Sequence, residues 1–184
     1  MMSQKINIRV LFVKKVRMLK FRLYDKVIDI DLDEWSNKDY SNYQNDVHKF
    51  ALFDETISQI YNSYIENPDQ MGSIFDKVIV VEEDNLKVAV IVVNYFIDEK
   101  DNKKVLGINP ILVNPKFINQ GYGKRIIKYL MDIKGKIFDM LPNKIYAGID
   151  IENIRCKHLF EKLGFKLVGQ TDDNDFLYYE YLIE

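Results

Sequence analysis

Residues 108–127 read INPILVNPKFINQGYGKRII, and this stretch decides how the chain folds. An apolar, β-rich run from Val105 to Val113 ends at Asn114-Pro115 and crosses a short polar segment. It then enters a helix through Gly121 and Gly123, with Lys124 and Arg125 directly behind. A strand that opens into a glycine-bearing helix start gathers several unpaired backbone N–H groups in one concave turn, and the positive end of the helix dipole points at the same spot. Such a turn is an anion site and most often holds a phosphate or pyrophosphate. Spacing excludes two common versions. A P-loop needs GxxxxGK[ST], but Ile118 stands five positions before Gly123 and Arg125 follows Lys124. A dinucleotide fingerprint needs a third glycine or an alanine where this chain has Ile126. On the GxG alone, a helix start that uses its glycines only for tight packing is an equal reading.

Upstream of this stretch, residues 77–81 and 87–97 have strand composition and are joined by the polar turn Glu82-Glu83-Asp84-Asn85. A second turn, Asp98 to Lys103, leads into the strand 104–113, which completes an antiparallel meander. Downstream, Ile126, Ile127, Leu130, Met131 and Ile137 carry the helix on to its break at Leu141-Pro142-Asn143. Ile145, Ala147, Ile149 and Ile151 alternate as the next strand; 153–163 is helical and closed by Gly164; 165–169 and 176–183 are two final strands. Val105 to Ile151 is therefore one strand–helix–strand unit, long enough for a right-handed parallel crossover. Before the meander, Lys5 to Ile30 reads as extended, and Asp29, Asp31, Asp33 and Glu34 as an acidic loop. Val47, Phe50, Phe53, Ile57, Ile60, Tyr61 and Tyr64 recur at helical steps between Asp46 and Ile65. The expected fold is α/β (α+β): a mixed, mostly antiparallel central sheet of six to seven strands, with one parallel β-α-β unit and helices on both faces.

At 184 residues the chain is expected to form one domain, 1–184. Residues 1–24 carry seven Lys and Arg and no acid, which reads as a solvated strand, a basic extension or arm, or a stretch ahead of a start at Met18. A net charge of −2 gives the whole no nucleic-acid footprint. Its single cysteine, Cys156, excludes an internal disulfide framework and fits a cytoplasmic protein. No apolar run approaches the roughly 18 residues of a membrane span.

Two motifs together carry a family resemblance. ILVNPKFINQGYGKRII resembles the cofactor motif of the GNAT superfamily of N-acetyltransferases: a strand, V-x-P, then [QR]-x-x-G-x-[GA] opening a helix. NIRCKHLFEKLGFKLVG, which begins about thirty residues after Gly123, is similar to that family's second motif, N-x-x-A-x-x-L-Y-x-K-x-G-F. The resemblance covers residues 77 to 184. It implies acetyl-coenzyme A as cosubstrate, bound between two splayed parallel strands, and an amine as acceptor, in a monomer or homodimer. It places the pyrophosphate on the backbone amides of Gln120, Gly121, Tyr122, Gly123 and Lys124. The main chain of Leu112 and Val113 is implied to pair with the pantetheine arm, and Asn153 to bond it from the other side. Two positions depart from the pattern. The [QR] position is Ile118, which removes a side-chain contact to the cofactor, and the family's proton-donating tyrosine is Phe160.

Phenylalanine fills the same space and cannot donate a proton; water, Tyr178 or Tyr179 are the substitutes the sequence offers. An ammonium acceptor also needs a base before it can attack. The strand before the glycine turn supplies Asn109 and Pro110 and no acid, which leaves Asp150 and Glu152, at the exit of the strand after the crossover, as candidate bases. Cys156 reads as a small buried thiol, His48 and His158 as solvated helix residues, and two histidines with one cysteine make no metal centre. The alternative to an enzyme is an acyl-coenzyme A-binding or regulatory domain without chemistry.

Overall fold

The computed structural model describes residues 18–35, 56–63 and 75–183. Seven strands form one sheet in it: β1 (Lys20–Leu23), β2 (Phe75–Glu83), β3 (Leu86–Asp98), β4 (Lys103–Val113), β5 (Lys144–Asp150), β6 (Lys166–Gln170) and β7 (Phe176–Leu182). Their spatial order is β1-β2-β3-β4-β5-β7-β6. Every pairing is antiparallel except β4 with β5, so the expected parallel unit sits at the centre of the sheet.

Alternation along the central strands sorts their side chains onto two cores. On one face Ile79, Val81, Ala89, Ile91, Val93, Leu106, Ile108, Ile145, Ala147 and Ile149 meet α2 (Tyr122–Ile137) and α3 (Ile154–Lys162). Helix α2 buries Ile126, Ile127 and Leu130 on one stripe and sets Lys134 and Lys136 in its last turn, where cations suit the helix dipole. Burying each of these aliphatic side chains contributes about 1.5–3 kcal/mol relative to exposure. Helix α3 ends in a Schellman arrangement: Gly164 takes φ 91°, its N–H reaches the Glu161 carbonyl at 3.0 Å, and the Phe165 N–H reaches that of Phe160 at 3.1 Å.

On the other face Val78, Val80, Val90, Val92 and Leu112 pack against Tyr24, Leu32, Ile57 and Ile60. Ile57 and Ile60 come from α1 (Ile57–Tyr61), which Thr56 and Gln59 start with a capping box. The rest of the helix expected over 46–65, with Val47, His48, Phe50 and Phe53, lies outside the described residues, as do residues 1–17.

Two expectations are corrected here. Extended structure stops at Leu23, and the acidic stretch is folded: Ile30–Glu34 is a 3-10 helix that buries Leu32. The reason is Asp29, fully buried, whose carboxylate accepts the Arg22 guanidinium at 2.6 and 2.7 Å and faces Lys87 Nζ at 2.9 Å. Burial alone would raise the Asp29 carboxyl; the bonds from Arg22 and Lys87 reverse this and hold it well below the usual carboxylate range.

Candidate active site

Strands β4 and β5 pair over only four rungs, Val105–Ile108 with Lys144–Ala147. Beyond the last rung β4 follows β3 and β5 follows β7, so a gap opens between them toward their C-terminal ends. The cause is local. Asn109 and Pro110 form a bulge between Ile108 and Ile111, which pair with Val93 and Ile91, and proline has no N–H to offer β5. Past the bulge, the Asn114 N–H reaches the Val88 carbonyl at 2.9 Å. By the alternation of an antiparallel ladder the Leu112 peptide then turns toward β3, and the peptides of Ile111 and Val113 turn toward the gap. The Leu112 side chain is buried on the face covered by α1.

The open end of the gap is the glycine turn. Asn114 Oδ1 accepts from the Lys116 N–H at 2.9 Å and starts a 3-10 turn, Pro115–Phe117. Gly121 follows as the N-cap of α2 at φ 80°, and no side chain caps the helix. The first-turn N–H groups at Tyr122, Gly123 and Lys124 therefore lack the acceptor that a Ser, Thr or Asp cap would supply. A Cβ built on Gly121 would meet nothing within 4 Å, so the space in front of the turn is clear. One built on Gly123 would rest 3.6 Å from Leu159 Cδ2, which gives this second glycine a packing role against α3. Gln120 and Lys124 are exposed, whereas Tyr122 is buried and its hydroxyl donates to Glu83 Oε2. Arg125 Nη2 donates to the other oxygen of Glu83, and this pair anchors the helix start to β2. An uncapped positive helix end with open space before it fits an anionic pyrophosphate.

Helix α3 borders the gap on the β5 side. Asn153 is its N-cap: its Oδ1 accepts the Cys156 N–H at 3.0 Å. Phe160 is buried and packs edge-on against Phe165 at 4.8 Å between centroids. Burial pushes the Cys156 thiol up to about 12, which makes it a packing group and no nucleophile. Asp150 is committed to the turn into α3, its Oδ1 accepting the Glu152 N–H at 2.8 Å and its carbonyl the Asn153 N–H at 2.9 Å. Glu152 is exposed beside it. Tyr178 lies across from Gly148, 5.2 Å from the ring of Tyr146, while Tyr179 points to the α3 face and donates to Glu161 at 3.1 Å.

Four residues at the closed end of the gap escaped the sequence reading as a group. Asn94 pairs with Gly107, Gly107 with Tyr146, and Asn109 stands just beyond the last parallel rung. Burial raises the Tyr146 hydroxyl above its ordinary range. One row away, Lys144 is buried and holds Asp98, Glu180 and Asp101 at 2.5, 2.8 and 3.3 Å. A glycine in mid-strand and the Asn-Pro pair were the available signals; nothing local said what they would face.

The model of the Acetyltransferase (GNAT) family matches residues 29–165, and the chain belongs to that family of acyltransferases. No curated protein matches it. Among solved structures it is similar to aminoglycoside acetyltransferase AAC(6')-Ib in complex with coenzyme A (TM-score 0.65, 17% identity, 90% of this chain and 95% of that one). Spermidine N-acetyltransferase from Vibrio cholerae, in complex with CoA and spermine, aligns with TM-score 0.60 at 16% identity over 89% of this chain and 95% of that one. The Campylobacter jejuni N-acetyltransferase PseH aligns with TM-score 0.57 at 14% identity over 90% and 99%. At such identities the likeness is one of fold.

Proposed function

We propose that this chain is a single-domain, acetyl-coenzyme A-dependent N-acetyltransferase that acts on a primary amine by direct transfer. The observation that carries the reading is the uncapped start of α2 at Gly121, placed at the open end of a splayed parallel pair. Residues 121–124 would hold the pyrophosphate through their N–H groups, that of Gln120 being donated to the Phe117 carbonyl at 3.3 Å, Val113 and its neighbours on β4 would lie along the pantetheine arm, and Asn153 and Phe160 would border it from α3. The solved relatives that acetylate spermidine and aminoglycosides support an amine as acceptor.

The step balances without a covalent enzyme intermediate. The amine lone pair attacks the thioester carbonyl carbon; a C–N bond forms, the C–S bond breaks, and its electron pair leaves on sulfur. The surplus proton on nitrogen passes to water. With a thiol pKa near 8.5, the sulfur leaves adequately at neutral pH, so phenylalanine at position 160 is compatible with turnover.

Calorimetry with acetyl-coenzyme A tests the reading, and no heat of binding at millimolar ligand would end it. Phe160 and the committed Asp150 favour one second reading, a binding domain without chemistry. Enzyme-dependent thiol release in a broad amine panel eliminates that one.

A further inference from the structure

We propose that Asn94 and Asn109 hold the two reacting groups at the closed end of the gap. Asn109 Nδ2 donates to the carbonyl oxygen of the acyl thioester, and Asn94 Oδ1 accepts an N–H of the acceptor amine. The proposal rests on the acyltransferase reading above and deepens it by naming the side chains that hold the acyl group and the acceptor.

Register places both amides where the acyl end would stop. Asn94 lies across from Gly107, and Gly107 across from Tyr146, the second-to-last rung before the strands part. Residues paired across a ladder share a face, and so do residues two apart, so Asn109 joins Asn94, Tyr146 and Tyr178 on the face opposite α2. Ile108, between Gly107 and Asn109, points into the α2 core.

The sheet gives up local stability to seat Asn94. Gly107 does not have a positive φ, so its backbone would suit any residue. What excludes a side chain is the Asn94 amide itself: a Cβ there would fall 1.8 Å from Asn94 Oδ1, 3.0 Å from its Cγ and 3.3 Å from Phe96 Cε1. A mid-strand glycine weakens a strand and commonly marks the close approach of another group. Here that group is an amide whose oxygen is buried without a hydrogen-bond partner. Asn109 Nδ2 is buried without a partner as well. One orphaned acceptor and one orphaned donor are costly in a resting fold and match an amine N–H and a carbonyl oxygen.

Asp76 stands across from Asn94 on β2 and shares its face, whereas the other carboxylates near this end bond other groups. Asp98, Asp101 and Glu180 bind Lys144, and Asp150 bonds the Glu152 N–H. An amine arriving here meets two amides, two tyrosines and, beside Asn94, the Asp76 carboxylate.

The first test uses ¹⁵N-labelled protein, with the Asn109 side-chain NH2 assigned by its loss in Asn109→Ala. Acetyl-coenzyme A shifts that resonance, and coenzyme A, which lacks the carbonyl, does not. Equal responses to the two overturn the role of Asn109. If neither ligand moves the backbone amides of Gly121 to Lys124, the cofactor reading has failed and this proposal with it. The second test follows thiol release with glycinamide as the acceptor. Asn94→Ala lowers kcat/KM for glycinamide about tenfold with the acetyl-coenzyme A KM unchanged, and Asn94→Asp, which keeps an acceptor oxygen, recovers to within about threefold of wild type. No release by wild type, no loss in Asn94→Ala, or a parallel rise in the acetyl-coenzyme A KM overturns the role of Asn94.

Discussion

At the α2 end of the gap the groups that would face a ligand are peptide N–H groups from one contiguous stretch, Gly121 to Lys124. At the closed end they are side chains from four strands: Asn94 on β3, Asn109 on β4, Tyr146 on β5 and Tyr178 on β7. The first site is made by a helix start and tolerates changes in side chain wherever the backbone keeps its course. The second depends on single atoms held by register. Binding and chemistry are thus exposed to mutation in different ways, and substitutions separate them.

The largest effect is expected at the base of the closed end. Lys144→Met leaves Asp98, Asp101 and Glu180 facing one another around an apolar side chain and should cost about 3 kcal/mol in urea unfolding. Burial would lower the Lys144 ammonium, but the three carboxylates outweigh this and raise it above the ordinary range. Its contribution to stability is therefore complete below about pH 10.4 and lost as pH rises through the raised value. The variant should lack that alkaline loss. A cost under 1 kcal/mol would mean that the three acids are held by water alone.

Next comes the open end. Gly121→Val forces a β-branched residue to φ 80° and fills clear space, so acetyl-coenzyme A should bind about thirtyfold more weakly. Gln120→Ala and Lys124→Ala, which leave the amides in place, should each change affinity less than about threefold. Losses as large as that of Gly121→Val would break the contrast, because they would make this end a side-chain site too.

Gly107→Ala should cost about 1–2 kcal/mol by displacing the Asn94 amide. It should reduce acceptor turnover and leave acetyl-coenzyme A affinity nearly untouched in calorimetry. The smallest effect is expected from Phe160→Tyr. Its hydroxyl would enter an apolar contact with Phe165 and cost about 1 kcal/mol, visible in thermal melts, while turnover stays within about threefold. A tenfold gain in turnover would instead show that proton donation to sulfur limits the rate.

How much could be read beforehand follows the same division. Gly121, Gly123 and the cap Asn153 stand out in the sequence because helix starts and caps are decided by residues within one turn of each other. The parallel unit was readable for the same reason, as a periodic strand, a periodic helix and a second periodic strand in a row. The burial of Asp29 was missed because its partner Lys87 is brought to it only by the pairing of β1 and β3 through β2. Asp150 carried a base's position in the sequence, and only the fold shows that its Oδ1 accepts the Glu152 N–H in the turn into α3.

By itself, then, the sequence determined the glycine turn, the order of elements from β2 onward and, through its two spaced motifs, membership in the GNAT family. Those features arise from contacts within a few residues, where amino-acid type dictates backbone course. Tertiary structure alone decided where β4 and β5 part, that Gly107 makes room for Asn94, and that Asp98, Asp101 and Glu180 are tied to Lys144. Each of these depends on which residue stands opposite which across a sheet, and strand register is a property of the packed whole.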